Sequence, residues 1–303
     1  MKILSGDTTL CDFSHENCTK QVDTFIITRF NLRLWTKDKH NRPTQSRDWI
    51  EQRFKLFDKY CFPSIKNQSN HEFLWLCLFD EQSTSPFLEK IKNYMDELPS
   101  FLPLFLDDKD TENTADCISK CILQYKNDSD TLITIRLDND DALGIDFVQS
   151  VKRYADTTEG TTIYSFKFGI QYFVHDEIAA HIPFYNNHFL SMVSRDFHRD
   201  DFCKRKVQHV LQFNHFDVEN YPYPFVCNTE DKDMWMEVIH AKNVSNDCKM
   251  TLHQAPVQES VILANKFNIR GGDNLPYISK CKFWKFMALR FLKHMIMKIS
   301  SKL

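Results

Sequence analysis

Leu132-Ile-Thr-Ile-Arg136-Leu137-Asp138-Asn139-Asp140-Asp141-Ala142-Leu143 is the stretch that decides the reading of this chain. The apolar, β-branched run from Leu132 to Leu137 signals a strand, and it leads directly into three carboxylates within four residues. Backbone alternation in an extended segment puts Asp138 and Asp140 on the same side. Two carboxylates so placed repel each other unless a cation sits between them. Hard oxygen ligands suit Mg2+ or Mn2+, ions commonly held together with substrate phosphates. Asp and Asn are also ordinary turn formers, so the spacing equally admits a solvated turn. An EF-hand does not fit: counted from Asp138, the fifth position is Ala142, which offers no ligand.

Outward from this stretch, apolar strands alternate with amphipathic helices. Thr24 to Phe30 reads as a buried first strand, and Arg47 to Tyr60 as a helix that Pro63 ends. Phe73 to Phe79 is a fully apolar strand followed by Asp80-Glu81. Pro86 to Leu98 and Ala115 to Tyr125 read as helices, with a short strand near Leu102 to Leu106 between them. Strands apolar on both faces, alternating with helices, predict an α/β fold with a mostly parallel, open twisted sheet covered on both sides. Ligands in such sheets bind beyond the carboxyl ends of the strands. Three such ends carry polar groups here: Thr28, Arg29 and Asn31; Asp80 and Glu81; and the acidic cluster.

After the helix Phe147 to Tyr154 the pattern changes. Thr161 to Phe173 reads as a pair of strands near a sheet edge, and Met234 to Ala241 as a further element. Residues 1–22 are weakly patterned and read as a loose lead-in. Residues 23–270 read as one globular unit, with a nucleotide half to about residue 150 and an acceptor half after it. Residues 271–303 form a separate basic segment with seven Lys or Arg, Lys280 to Lys302, and no acid after Ser279. On a helix, Trp284, Ala288, Phe291, Leu292, Met295 and Ile299 share one stripe, and the pair Gly271-Gly272 ahead of it suggests a hinge.

Composition narrows the function. The chain has 303 residues, 26 of them Phe and only 6 Gly, and no glycine-rich phosphate loop occurs. A bound diphosphate would therefore be neutralised by a metal and side chains. The net charge of −3 supplies no global basic field for nucleic acid. Ten cysteines without a C-x-x-C pair read as reduced thiols of a cytoplasmic protein, with no signal peptide and no membrane-spanning run.

Four segments occur in order: Phe25-Ile-Ile-Thr-Arg-Phe-Asn31, Trp75-Leu-Cys-Leu-Phe-Asp80-Glu81, Thr134-Ile-Arg-Leu-Asp-Asn-Asp-Asp-Ala-Leu143 and Met234-Trp-Met-Glu-Val-Ile-His240-Ala-Lys-Asn243. Together they resemble the rhamnosyl transferases of bacterial polysaccharide clusters, a family similar to GT-A glycosyltransferases, over roughly residues 23 to 245. The resemblance implies a GT-A-like domain, a nucleotide-sugar donor, Mn2+ or Mg2+, and a glycan or lipid-linked glycan acceptor in bacterial surface polysaccharide synthesis.

Under that resemblance Asp138 and Asp140 hold the metal diphosphate, and Asn139 lies between them. Neutral imidazole can complete such a site, and His240 is the foremost candidate, ahead of His209, His215 and His253, with Asn243 placed to orient it. Thr28, Arg29, Asn31, Asp80 and Arg136 are candidates for nucleotide-sugar contacts. Asp141 has an alternative role as cap of a helix beginning near Ala142. Direct displacement, which inverts the anomeric centre, needs a base for the acceptor hydroxyl, and Glu230, Asp231 and Asp233 are candidates, Asp233 first. Trp235 could stack on a sugar or serve the core. The basic segment suggests attachment to the inner face of the cell membrane, where a lipid-linked acceptor would lie. A metal-dependent phosphohydrolase or nucleotidyltransferase, and a non-catalytic glycan-assembly scaffold, are the alternatives on the same residues.

Overall fold

The computed structural model describes residues 1–5, 8–12, 21–34, 43–197, 207–240, 254–257, 261–269 and 280–300. Asn243, His253 and Gly271-Gly272 lie outside them.

In chain order the elements are β1 (Lys2–Leu4), β2 (Leu10–Asp12), β3 (Thr24–Arg29), α1 (Arg47–Leu56), α2 (Phe62–Lys66), β4 (Leu74–Asp80), α3 (Ser85–Glu97), β5 (Phe101–Leu106), α4 (Asp108–Glu112), α5 (Thr114–Tyr125), β6 (Leu132–Arg136), β7 (Ala142–Leu143), α6 (Phe147–Ala155), β8 (Thr161–Phe166), β9 (Phe168–Phe173), β10 (Ile178–Pro183), β11 (Ser191–Ser194), β12 (Phe225–Asn228), β13 (Trp235–Ile239), β14 (Ala255–Pro256), α7 (Val261–Phe267) and α8 (Lys280–Ser300).

Nine strands form the main sheet in the order β12-β8-β11-β6-β3-β4-β5-β1-β2. Its centre, β6-β3-β4-β5, is parallel. These strands are apolar on both faces because both faces are covered. Phe54 and Phe57, with Phe147 of α6, pack on one face against Trp75 and Phe101. Ile118, Cys121 and Ile122 of α5 pack on the other against Phe25, Ile27 and Leu76. This is the α/β architecture expected from the alternating pattern. The seven described cysteines are all free.

Three expectations are corrected. Lys2–Leu4 and Leu10–Asp12, inside the stretch read as a loose lead-in, are strands that pair antiparallel and add to the sheet next to β5. Their three residues each are too few to carry a pattern. Pro63 does not end the helix begun at Arg47. The chain widens into a π turn over Phe57–Cys61, with the Phe62 amide donating to the Phe57 carbonyl, and continues as α2 with Pro63 in its first turn. A proline is tolerated there because its missing N–H would have had no partner within that turn.

Thr161 to Phe173 is two strands, but they do not pair with each other. β8 lies between β11 and β12 in the main sheet, whereas β9 lies between β10 and β13 in a second sheet of order β14-β10-β9-β13-β7. Lys167 is the crossing point. Its amide donates to Asn228 of the first sheet at 2.9 Å, and its carbonyl accepts from Phe184, just past β10, at 2.7 Å. Gly169 follows because the Trp235 ring occupies the position of a side chain: a Cβ there would lie 2.1 Å from the ring. Trp235 is thus a core residue, stacked on Phe189 and donating from Nε1 to the Phe166 carbonyl at 2.8 Å.

Candidate functional site: the acidic turn after β6

The strand ends at Arg136, and the backbone turns rather than staying extended. The Asp141 amide donates to the Asp138 carbonyl at 3.2 Å. Residues 138–141 therefore form a turn, and the side-chain alternation of an extended strand does not apply to Asp138 and Asp140.

Asp140 faces inward. Its Oδ2 lies 2.8 Å from Arg53 Nη1 and 2.8 Å from His240 Nε2, and all three residues are nearly shielded from solvent. Burial raises the Asp140 carboxyl, but Arg53 and His240 outweigh burial and hold it below the usual carboxylate range. Arg53 reaches this position from α1, with its guanidinium 4.9 Å from the centre of the Trp49 ring. It also donates to Asn139 Oδ1 at 3.1 Å, while the Asn139 amide donates to the carbonyls of Arg29 and Phe30. Asn139 therefore ties the turn to the end of β3.

Asp138 is more open, its side chain 31% exposed. Burial pushes its carboxyl up, but Arg136, His188 and Arg29 more than offset that and hold it well below the carboxylate range. Arg136 donates to it at 3.3 and 3.4 Å. Arg29 is itself shifted down, by burial first, and Asp138 counters that shift.

Asp141 is fully buried. Its Oδ1 accepts the Val238 amide at 2.8 Å, and its Oδ2 lies 2.7 Å from His188 Nε2. Ala142 opens β7 instead of a helix, so Asp141 caps no helix and instead joins β13 to the loop before β11. Burial raises the Asp141 carboxyl to about 7 against the opposing pull of His188; burial pulls His188 down, but Asp141 outweighs it and raises His188. The two side chains titrate as a pair rather than singly.

Among the described residues, Asp138, Asp141 and His188 are the one set of three such groups whose ligand atoms lie within 4.8 Å of one another. Two carboxylates and an imidazole are the donor types that Mn2+ and Mg2+ sites accept, with Asp138 open to a ligand. The set thus fits a divalent ion. Asp138, Asp140 and His240 do not gather in this way; Asp140 lies instead between Arg53 and His240.

His188 carries no sequence signal of its own. It lies 47 residues from Asp141, in a stretch with no metal-ligand spacing, and only the antiparallel return of β11 beside β6 brings it to the turn. His215, a weaker sequence candidate, lies beside it with ring centres 5.9 Å apart. His209 sits elsewhere, buried with Nε2 3.3 Å from the Ala115 carbonyl.

The remaining expected contacts sort by burial. Thr28 is fully buried, and its hydroxyl accepts from Trp75 Nε1 at 2.9 Å, so this side chain serves the core. Asn31 is buried and accepts the Asp80 amide, tying the ends of β3 and β4. Asp80 is paired with Arg33 and accepts the Gln82 amide. These three brace the strand ends. Arg29 and Arg136 are only partly buried and stand beside Asp138.

The acidic loop is a separate place. Asn228 Oδ1 accepts the amides of Glu230 and Asp231, which makes an Asx-type turn, and Glu230 is exposed. Asp233 is half-buried, 2.8 Å from His181 Nδ1 on β10, and adopts a left-handed backbone (φ 51°). It precedes β13, whereas His240 follows that strand. An extended chain of seven residues separates the two ends by roughly 20 Å. The structure brings His240 to the acidic turn, at the opposite end of β13 from Asp233.

Similarity to solved structures is loose. A crystal structure of S. aureus TarS is 11% identical with a TM-score of 0.42, the alignment covering 72% of this chain and 37% of that one. A structure of S. aureus TarS 1-349 is 10% identical with a TM-score of 0.40, covering 72% of this chain and 60% of that one. This chain thus spans less than two thirds of either, and likenesses of this size carry no argument about function. No curated protein matches the sequence. The family model described as "Putative rhamnosyl transferase" matches residues 9–252, most of the chain. With the ordered segments and the acidic turn that it spans, that match shows that the chain belongs to this rhamnosyl transferase family.

Proposed function

We propose that this protein transfers a sugar from a nucleotide-sugar donor to a glycan acceptor in bacterial polysaccharide synthesis, binding the donor diphosphate at the acidic turn after β6 with a divalent ion. Family membership supports sugar transfer. The observation that carries the site assignment is Asp138: a partly open carboxylate at a strand end, kept ionised by Arg29 and Arg136, with Asp141 and His188 directly behind it. Asp138, Asp141 and His188 would hold the ion. When bound, Mn2+ or Mg2+ supplies positive charge to the diphosphate that leaves.

The chain's own residues do the rest. Arg29 and Arg136 offer guanidinium groups to diphosphate oxygens, which suit their forked donors. Arg53 and His240 keep Asp140 ionised and fixed, and so hold the turn that presents Asp138. Asn139 locks the same turn to β3. Transfer proceeds by direct displacement with inversion at the anomeric carbon. Asp233, in the loop before β13 and 2.8 Å from His181 Nδ1, stays the candidate base for the acceptor hydroxyl.

A thermal-shift screen of nucleotide sugars with and without Mn2+ tests the proposal, because a ligand that binds only the native state raises its stability. At least one nucleotide sugar should raise the melting temperature in the presence of Mn2+ and fail to do so with Asp138→Asn. If no nucleotide or nucleotide sugar produces a shift with either metal, the donor-site assignment fails.

A further inference from the structure

Helix α8 divides its residues in a way the sequence stripe does not show. Phe283 and Met287 are buried against Phe173, Ala180 and Ile239 of the second sheet, with Phe286 packed beside them. Arg290 completes this face: it pairs with Asp176 at 3.1 Å and lies over the Phe173 ring at 4.8 Å. Positions 283, 286, 287 and 290 are one side of a helix. That contact fixes which side of α8 faces outward.

The outward side is apolar. Of the eleven exposed large hydrophobic residues among the described residues, six are on this helix: Trp284, Leu289, Phe291, Leu292, Met295 and Ile296. Leu292 is 56% and Ile296 65% exposed. A concentration of this kind on one element marks an interaction surface. Lys280, Lys282 and Lys285 are exposed around it, and the helix contains no acid. No helix among the described residues is long and apolar enough to cross a membrane.

We propose that the outward face of α8 docks on an anionic lipid bilayer, lying in the interface with Trp284, Leu292 and Ile296 among the acyl chains and the lysines at the phosphates. An apolar arc bordered by Lys280 and Lys282, with Lys285 at its N-terminal end, matches such a surface in both hydrophobicity and charge. A second copy of this chain fits less well, since its α8 contains no acid to pair with the exposed lysines. The inward face gives the docking a consequence. Phe283 and Met287 pack on Ile239, the residue just before His240, so the helix is anchored one residue from the group that contacts Asp140. Docking would hold the second sheet beside the bilayer.

The test is co-sedimentation of the full chain with vesicles, which needs neither donor nor acceptor and is therefore independent of the transferase reading. The intact protein should bind phosphatidylcholine vesicles containing about one-third phosphatidylglycerol at least about tenfold more tightly than phosphatidylcholine alone. Leu292→Asp with Ile296→Asp should abolish binding, and Lys282→Glu with Lys285→Glu should remove the preference for anionic lipid. All four side chains are exposed, so the melting temperature should stay unchanged. Absence of binding by the intact chain would overturn the proposal, as would binding that survives L292D/I296D. A dimer in sedimentation equilibrium that L292D/I296D splits, with no vesicle binding, would assign the face to a second copy instead.

Discussion

Arg53 and Asp140 form a buried ion pair at 2.8 Å that joins the first helix to the acidic turn. Neither end can be removed singly without leaving a charge in a poorly hydrated place. Arg53→Met should therefore cost about 3–5 kcal/mol of unfolding free energy, measured by urea denaturation. Arg53→Met with Asp140→Asn should recover much of that loss. A single variant within about 0.5 kcal/mol of the parent would show the pair to be solvated.

Asp138 should behave differently from Asp140. It is the more open of the two, and its charge faces outward. Asp138→Asn should lower stability, because Arg29 and Arg136 lose their carboxylate partner, and should also weaken Mn2+-dependent binding of a nucleoside diphosphate by the remaining folded protein by about tenfold or more. Calorimetric titration with and without Mn2+ separates this from a folding effect. Equal affinity in parent and variant would remove Asp138 from the site.

Much of this was legible in the sequence and some was not, for physical reasons. β3, β4 and β6 stand out because parallel strands covered on both faces are continuous apolar runs. The acidic turn stands out because three carboxylates in four residues follow such a run directly, at the strand end where ligands bind in this kind of sheet. The extended-chain geometry of Asp138 and Asp140 was misleading, because the strand stops at Arg136 and a turn follows. His188 was invisible, since a lone histidine gains meaning only from a partner brought near by the sheet. Lys167 shows the same limit: alternation continues through it, while the hydrogen bonds change sheets. His240 was found by its place in an ordered motif, and it does reach the turn, but through Asp140 and Arg53.

His209 provides a pH signature away from the site. Burial lowers its pKa to about 4, against an ordinary value of 6.5. Between those values the unfolded chain binds a proton that the folded chain does not, so stability rises with pH through this window. The contribution is intact above about pH 6.5 and is lost progressively down to about pH 4, by roughly 3 kcal/mol in all. Comparing denaturation of parent and His209→Gln at pH 7 and pH 4.5 isolates it. The difference between the two proteins should change by at least about 1 kcal/mol, and no change would mean that His209 is protonated in the folded state.

Gly169→Ala should strain the crossing between the sheets. The new methyl would meet the Trp235 ring at 2.1 Å, and Trp235 is 1% exposed with its Nε1 committed to Phe166. Overpacking of this kind costs about 1–3 kcal/mol. Thermal denaturation should show a clear drop in melting temperature, while an unchanged value would place the ring elsewhere.

The most direct test of the account is release of nucleoside diphosphate when the purified protein is incubated with individual nucleotide sugars, a glycan acceptor and Mn2+. The account predicts release from at least one donor, its abolition by a chelator, and its loss in Asp138→Asn while the folded protein persists. Release that continues undiminished in Asp138→Asn, or hydrolysis of the donor with no sugar appearing on an acceptor, would contradict it.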